Sequence, residues 1–222
     1  MQPADRVALG LLTRGRPQAA IACVQSALAT AGEPIEAFVL IDDDPPAAEA
    51  IASYFEGNPL VHTRTLPLRH YYVRGMNALG RWLDAVGADH FVVTNDDVTF
   101  LQPGWAALVR ETLAGTYPDG MGIMELAGPE LCAHYASRLD FFHEYFDGLL
   151  AEPAYTFYCS DTELRERARA LGRYGWWYGP DVLHHHVTTD TLRHEVSYWL
   201  PFDRAEYVRR WQPGWLREVW MP

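Results

Sequence analysis

The chain predicts an α/β fold with a mostly parallel central sheet and helices packed on it, and three observations carry that expectation. Short continuous apolar runs recur, at residues 6–13 (RVALGLLT), 35–41 (IEAFVLI) and 91–93 (FVV), as in strands buried on both faces. Between them lie longer stretches with helical character, the alternation expected of successive βα units. Two of the runs stop abruptly on acidic residues, Asp42-Asp43-Asp44 and Asn95-Asp96-Asp97. In successive βα units such tips share the carboxyl edge of the sheet, where open α/β sheets bind ligands.

Taken in order, the first strand ends on Thr13-Arg14-Gly15-Arg16-Pro17, and Pro17 suits the first position of a helix running over residues 19–31, stopped by Gly32. The second strand ends at Asp42 to Asp44 and is followed by a short helix at 46–55. Residues 60–66 read as an extended segment or third strand. Over residues 69–86, Val73, Met76, Leu79, Leu83 and Val86 recur at three- and four-residue steps and predict an amphipathic helix. The strand ending in Asn95-Asp96-Asp97 follows, and Pro103-Gly104-Trp105 opens a helix to residue 113. Residues 121–126 (MGIMEL) predict another strand, and the aromatic-rich stretch 131–150 reads mainly as core. A helix is expected over 161–171, capped by Ser160 or Asp161 and stopped by Gly172. In 181–187 (DVLHHHV), period-two geometry puts His184 and His186 on one face of a strand and His185 on the other.

Composition narrows the chemistry. The 222 residues suit one α/β domain or a domain with an extension. A net charge of −11 disfavours a broad nucleic-acid surface. Every basic residue among the 18 is arginine, which excludes Schiff-base and P-loop lysine chemistry. Three scattered cysteines make neither a disulfide framework nor a zinc ribbon. No apolar run approaches the roughly 18 residues of a membrane span, and no basic n-region marks a signal peptide, so a cytoplasmic location is expected. The acidic strand tips are costly for like charges unless a hard divalent cation and its phosphates sit among them.

In this order, the strand tip at Thr13-Arg14, the tip at Asp42-Asp43-Asp44, the helix bearing Asn77, Asn95-Asp96-Asp97, Ser160-Asp161-Thr162-Glu163-Leu164 and the strand with His184 resemble the family-2-like glycosyltransferases of the GT-A fold. The resemblance spans roughly residues 6–190. It implies a three-layer α/β/α, Rossmann-like GT-A domain at residues 1–190 with an extension at 191–222 packed on it. It also implies a metal-dependent inverting transfer from a nucleoside-diphosphate sugar, UDP-sugar favoured, with Mn²⁺ or Mg²⁺. Thr13, Arg14, Arg74, Asn77, Asn95 and Asp96 would hold the nucleotide-sugar, and Asp43, with Asp42 beside it, the base. Asp97 and His184 would hold the metal, with His186 as the alternative histidine, and Asp161 would be the general base. Two departures stand out: Asn95 begins the DxD-type motif where many relatives have Asp, and Ser160 replaces an acidic residue. A nucleotidyltransferase acting on a sugar phosphate, and an inactive sugar-nucleotide-binding protein, are the competing readings. The acceptor is open and includes a hydroxymethylated base in phage DNA, which the acidic balance disfavours.

Overall fold

The computed structural model describes residues 6–126, 133–176, 182–185 and 192–211. The chain begins with β1 (Val7–Thr13), α1 (Pro17–Thr30), β2 (Glu36–Asp42), α2 (Pro45–Tyr54), β3 (Val61–Leu66) and α3 (Tyr71–Ala85). Next come β4 (His90–Asn95), β5 (Val98–Phe100), α4 (Trp105–Thr116), β6 (Ile123–Glu125), β7 (Tyr135–Arg138) and α5 (Leu139–Tyr145). The described chain ends with α6 (Ser160–Ala170), β8 (Tyr174–Trp176), β9 (Val182–His184) and α7 (Leu192–Trp211).

Seven strands form one sheet in the order β3-β2-β1-β4-β7-β6-β8. The pairs β1–β2, β1–β4, β2–β3 and β6–β8 are parallel, and β7 runs antiparallel between β4 and β6. Because β7 reverses direction twice over, β6 points the same way as β4, so most strands end on one edge. A separate pair, β5 and β9, lies antiparallel and aligns Val98 with His184.

Strand alternation divides the apolar residues between two cores. Leu9, Leu11, Ala37, Val39, Ile41 and Val92 join α1, α2 and α4 on one face. Ala8, Phe38, Leu40, Phe91 and Val93 join α3, α5 and α6 on the other, together with Tyr207 of α7. This is the two-sided burial that continuous apolar runs encode. Gly10 lets α3 approach β1, since a Cβ there would meet Leu79 Cδ2 at 3.1 Å and Leu83 Cδ1 at 3.3 Å. Gly104 enters α4 at φ +75°, and its N–H donates to Thr30 O at 2.7 Å. Trp105 is 1% exposed and its indole Nε1 donates to Ala27 O at 2.9 Å, locking α4 to α1.

Several expectations shift. The stretch 131–150, which reads mainly as aromatic core, holds β7 and α5 in its described part. The short strands β5 and β8 lacked the length that makes periodicity visible. Neither Ser160 nor Asp161 caps α6. The N-cap is Cys159 at φ +65°, and Ser160 Oγ instead accepts the Glu152 N–H at 2.9 Å. Replacing Trp105 with alanine removes a fully buried indole and its hydrogen bond together, so a loss of about 3–5 kcal/mol in unfolding free energy is expected in urea titration.

Candidate active site at the carboxyl edge of the sheet

The centre of this edge is a buried ion pair. Asp96, 1% exposed, accepts the Thr13 hydroxyl at 2.6 Å and Arg16 Nε at 3.2 Å, both through Oδ2, while its Oδ1 pairs with Arg16 Nη2. Burial pushes the Asp96 carboxyl up to about 6, although Arg16 and Thr13 oppose the shift. Arg16 also reaches Asp97, with Nη1 3.6 Å from Oδ2. Burial alone would raise Asp97 as well, but His184, Arg16 and His134 outweigh it and hold that carboxyl below its ordinary value. Arg16 was not singled out in the sequence, where it reads as an ordinary surface residue of a helix start.

Asp97 follows the end of β4, His184 lies on β9, and His134 immediately precedes β7. One ligand atom from each lies within 4.8 Å of the others. His184 Nε2 is 3.4 Å from Asp97 Oδ1, and the two imidazole centroids are 4.6 Å apart. His134 is 0% exposed. Its Nδ1 is 2.9 Å from Thr94 Oγ1, whose hydroxyl in turn donates to Asn95 O at 3.1 Å, and the Asn95 N–H donates toward the same Nδ1 at 3.4 Å. In the tautomer with its proton on Nδ1, which gives up that longer Asn95 contact, His134 donates to Thr94 and keeps the Nε2 lone pair for an ion, the arrangement that orients metal-ligating histidines. A carboxylate oxygen and two imidazole nitrogens fit a divalent first-row ion. His134 escaped the sequence reading because a lone histidine in an aromatic stretch has no spacing signal. His185 points the other way, with Nε2 2.8 Å from Thr99 Oγ1, and His186 lies outside the described residues.

Beside this cluster a pocket is lined by Thr13, Arg14, Arg16, Asn95, Tyr71 and Phe157, with Asp42 and Arg69 at its wall. Arg14 Nη1 is buried with no hydrogen-bond partner among the described residues. A buried cationic donor left in that state is costly unless an anion meets it. Asp42, rather than Asp43, lines the pocket, and its carboxylate is fully engaged. It pairs with the Arg69 guanidinium and accepts the His70 N–H at 2.7 Å and the Tyr71 N–H at 3.0 Å. Those bonds help hold Tyr71 at φ +59°, a costly conformation for a bulky residue. Asp43 sits in the turn at φ +52°, and Asp44 accepts the Gly15 N–H at 2.6 Å and caps α2 through Ala47 N–H at 3.1 Å.

Besides Asp43, and Asp96 whose oxygens are taken by Thr13 and Arg16, two more residues expected near a ligand are placed otherwise. Asn77 is 7% exposed, and its amide is spent on Ala151, donating to O at 2.8 Å and accepting N–H at 2.9 Å. It bridges α3 to the chain leading into α6. Arg74 sits on the exposed face of α3 and does not line the pocket. Asp161 lies in the first turn of α6, just after the segment carrying Phe157, and its Oδ1 accepts the Thr162 N–H at 2.8 Å. Burial pushes its carboxyl above the ordinary aspartate value, and the backbone amide and Arg165 only partly offset this.

The fold is the GT-A fold of the nucleotide-sugar glycosyltransferases, here with three side chains at the carboxyl edge that could hold a metal ion. Among solved structures, the chain is similar to the mannosyltransferase PcManGT of Pyrobaculum calidifontis, determined with GDP-Man and Mn²⁺ (13% identity, TM-score 0.68, covering 98% of this chain and 66% of that one). It is also similar to residues 1–349 of Staphylococcus aureus TarS, determined with UDP-GlcNAc (8% identity, TM-score 0.63, 91% and 66% covered). A putative glucose-1-phosphate thymidylyltransferase of Bacillus anthracis shares the architecture more distantly (11% identity, TM-score 0.54, 86% and 94% covered). The chain thus spans just under two thirds of the PcManGT chain and of the TarS chain determined with UDP-GlcNAc. No family model and no curated protein sequence matches it.

Because Asn77 satisfies both backbone groups of Ala151, Asn77→Ala should cost about 1–3 kcal/mol in urea unfolding. Its affinity for Mn²⁺ should equal that of the unaltered protein in a calorimetric titration.

Proposed function

We propose that this chain is a glycosyltransferase that moves a sugar from a nucleoside-diphosphate sugar to an acceptor hydroxyl with inversion at the anomeric carbon. The observation that carries the reading is the Asp97, His134 and His184 cluster beside a pocket where Arg14 presents a buried, unmet cationic donor. The solved neighbours were determined with GDP-Man and Mn²⁺ and with UDP-GlcNAc, which makes both diphosphates the first ligands to try.

In this reading Asp97, His134 and His184 hold a divalent ion. When bound, it supplies Lewis-acid stabilisation of the departing diphosphate. Arg14 meets the diphosphate, whose oxygens suit a planar guanidinium. Asn95 and Thr13 line the same pocket, and Asp42 shapes it by fixing Tyr71. Asp161 takes the proton of the acceptor hydroxyl as that oxygen bonds to the anomeric carbon. The bond from that carbon to the diphosphate oxygen breaks, and its electron pair leaves with the diphosphate. One displacement from the opposite face inverts the centre. Two imidazoles with a single carboxylate favour Mn²⁺ over Mg²⁺, because imidazole suits the later ions and Mg²⁺ prefers oxygen.

The second reading, nucleotidyl transfer to a sugar phosphate, is favoured by the likeness to the thymidylyltransferase. Products separate the two: a released nucleoside diphosphate marks sugar transfer, and pyrophosphate marks nucleotidyl transfer.

Four outcomes follow from these assignments. In thermal-shift measurements, UDP- or GDP-sugars should raise Tm only with a divalent ion, Mn²⁺ more than Mg²⁺. His134→Ala should weaken Mn²⁺ affinity at least about tenfold, and unchanged affinity would remove His134 from the ligand set. Asp161→Asn should keep nucleotide affinity while kcat falls on the order of 10²–10⁴-fold. The base works only when deprotonated and its carboxyl is held high by burial. The rate should therefore climb with pH through a midpoint above the ordinary aspartate range, and Asp161→Asn should abolish that limb.

A further inference from the structure

The segment 156–158 carries a wall of the pocket, Phe157, and leads through Cys159 into the first turn of α6, where Asp161 lies. No regular element contains it, yet it is held from two sides. On one side the Val73 N–H, in the first turn of α3, donates to Thr156 O at 3.1 Å. On the other, a single carboxylate of α7 takes three consecutive backbone donors. Asp203 accepts the N–H of Thr156 at 2.9 Å, of Phe157 at 2.8 Å and of Tyr158 at 2.8 Å. Asp203 is 3% exposed, so these bonds form where water competes little, and an ionised acceptor strengthens each of them.

The same helix reaches the pocket by its aromatic face. Trp199 packs on Tyr71 with ring centroids 5.4 Å apart, and Tyr71 meets Phe157 at 5.9 Å. Farther along, Arg210 makes a paired contact with Glu163 of α6, at 2.9 Å and 2.6 Å, and reaches Glu152 at 3.0 Å. Helix α7 therefore grips α6 at one place and the segment before α6 at another. What Asp203 adds is direction: three adjacent N–H groups pointed at one anion leave the segment very little freedom to rotate.

We propose that Asp203 is a positioning residue for the pocket and for the Asp161 turn, making α7 a working part of the site. It touches neither the pocket contents nor the reacting atoms. It acts by fixing the backbone of 156–158, and so sets both the ring of Phe157 and the entry geometry of α6. The inference rests on the transfer reading above, because the pocket is taken as the nucleotide site.

The test is Asp203→Asn, which keeps the shape and turns one acceptor oxygen into a donor facing N–H groups. Amide exchange at Thr156, Phe157 and Tyr158 should quicken, and affinity for UDP or GDP, measured with Mn²⁺, should fall about tenfold, roughly the effect of one charge-assisted hydrogen bond. Phe157→Ala should weaken the same affinity, and the double variant should lose less than the two effects combined, because both act through one wall. Additive losses would leave Asp203 with a merely structural role. Arg209→Ala, which removes an exposed partner of Glu206 on the same helix, should change nothing. If Asp203→Asn does not fold, Asp203→Glu keeps the charge while displacing it by one methylene, and is read the same way. A variant that binds nucleotide as tightly as the unaltered protein overturns the inference and leaves the transfer reading standing. An unaltered protein that binds neither nucleotide overturns both.

Discussion

The structure turns on keeping a buried carboxylate ionised at the ends of parallel strands. Asp96 is almost without solvent, and an unpaired charge there would cost several kcal/mol. Its two neutralising contacts come from the far end of β1 and the turn beyond it, Thr13 and Arg16. That requirement dictates the local chain path. Gly15 takes φ +72°, so the chain turns back sharply enough for Arg16 to face β4. Its N–H is held by Asp44 of the next turn, and Pro17 then starts α1 where no N–H is needed. Three connections, after β1, β2 and β4, are thereby tied into one edge.

With that edge assembled, its carboxylates differ in what they have left to give. Asp96 uses both oxygens on Thr13 and Arg16, and Asp42 uses both on the chain around Arg69. Asp97 divides its oxygens, Oδ2 toward Arg16 and Oδ1 toward His184. One oxygen can therefore meet an ion while the other stays near the guanidinium. The pair Asp96-Asp97 is better read as one carboxylate spent inside the protein and one with an oxygen turned toward the histidines than as a uniform patch of negative charge.

Much of this was legible in the chain. Continuous apolar runs located β1, β2 and β4 within a residue or so, because strands buried on both faces tolerate few polar residues. The acidic tips marked the edge for the same reason. What stayed hidden depended on tertiary contact. Asn77 reads as a polar residue on a helix, and only the fold brings Ala151 to it. Arg16 and His134 carry no spacing pattern, since their partners arrive from strands distant in sequence. The order of Asp42 and Asp43 was equally unreadable: a strand end that shifts by one residue reverses which side chain faces the pocket.

Fold alone does not choose between sugar transfer and nucleotidyl transfer, since solved proteins of both kinds share this architecture. The chemistry of the nucleophile does discriminate. A sugar phosphate attacks through an oxygen that is already anionic near neutral pH, with a second pKa of about 6, and it asks for cations around it rather than for a base. A hydroxyl acceptor is neutral and must lose a proton as it attacks, which asks for a carboxylate whose proton affinity has been raised. In the transfer reading proposed above, Asp161 would meet the second demand, with a carboxyl lifted by burial in the first turn of α6, shortly after the segment that walls the pocket.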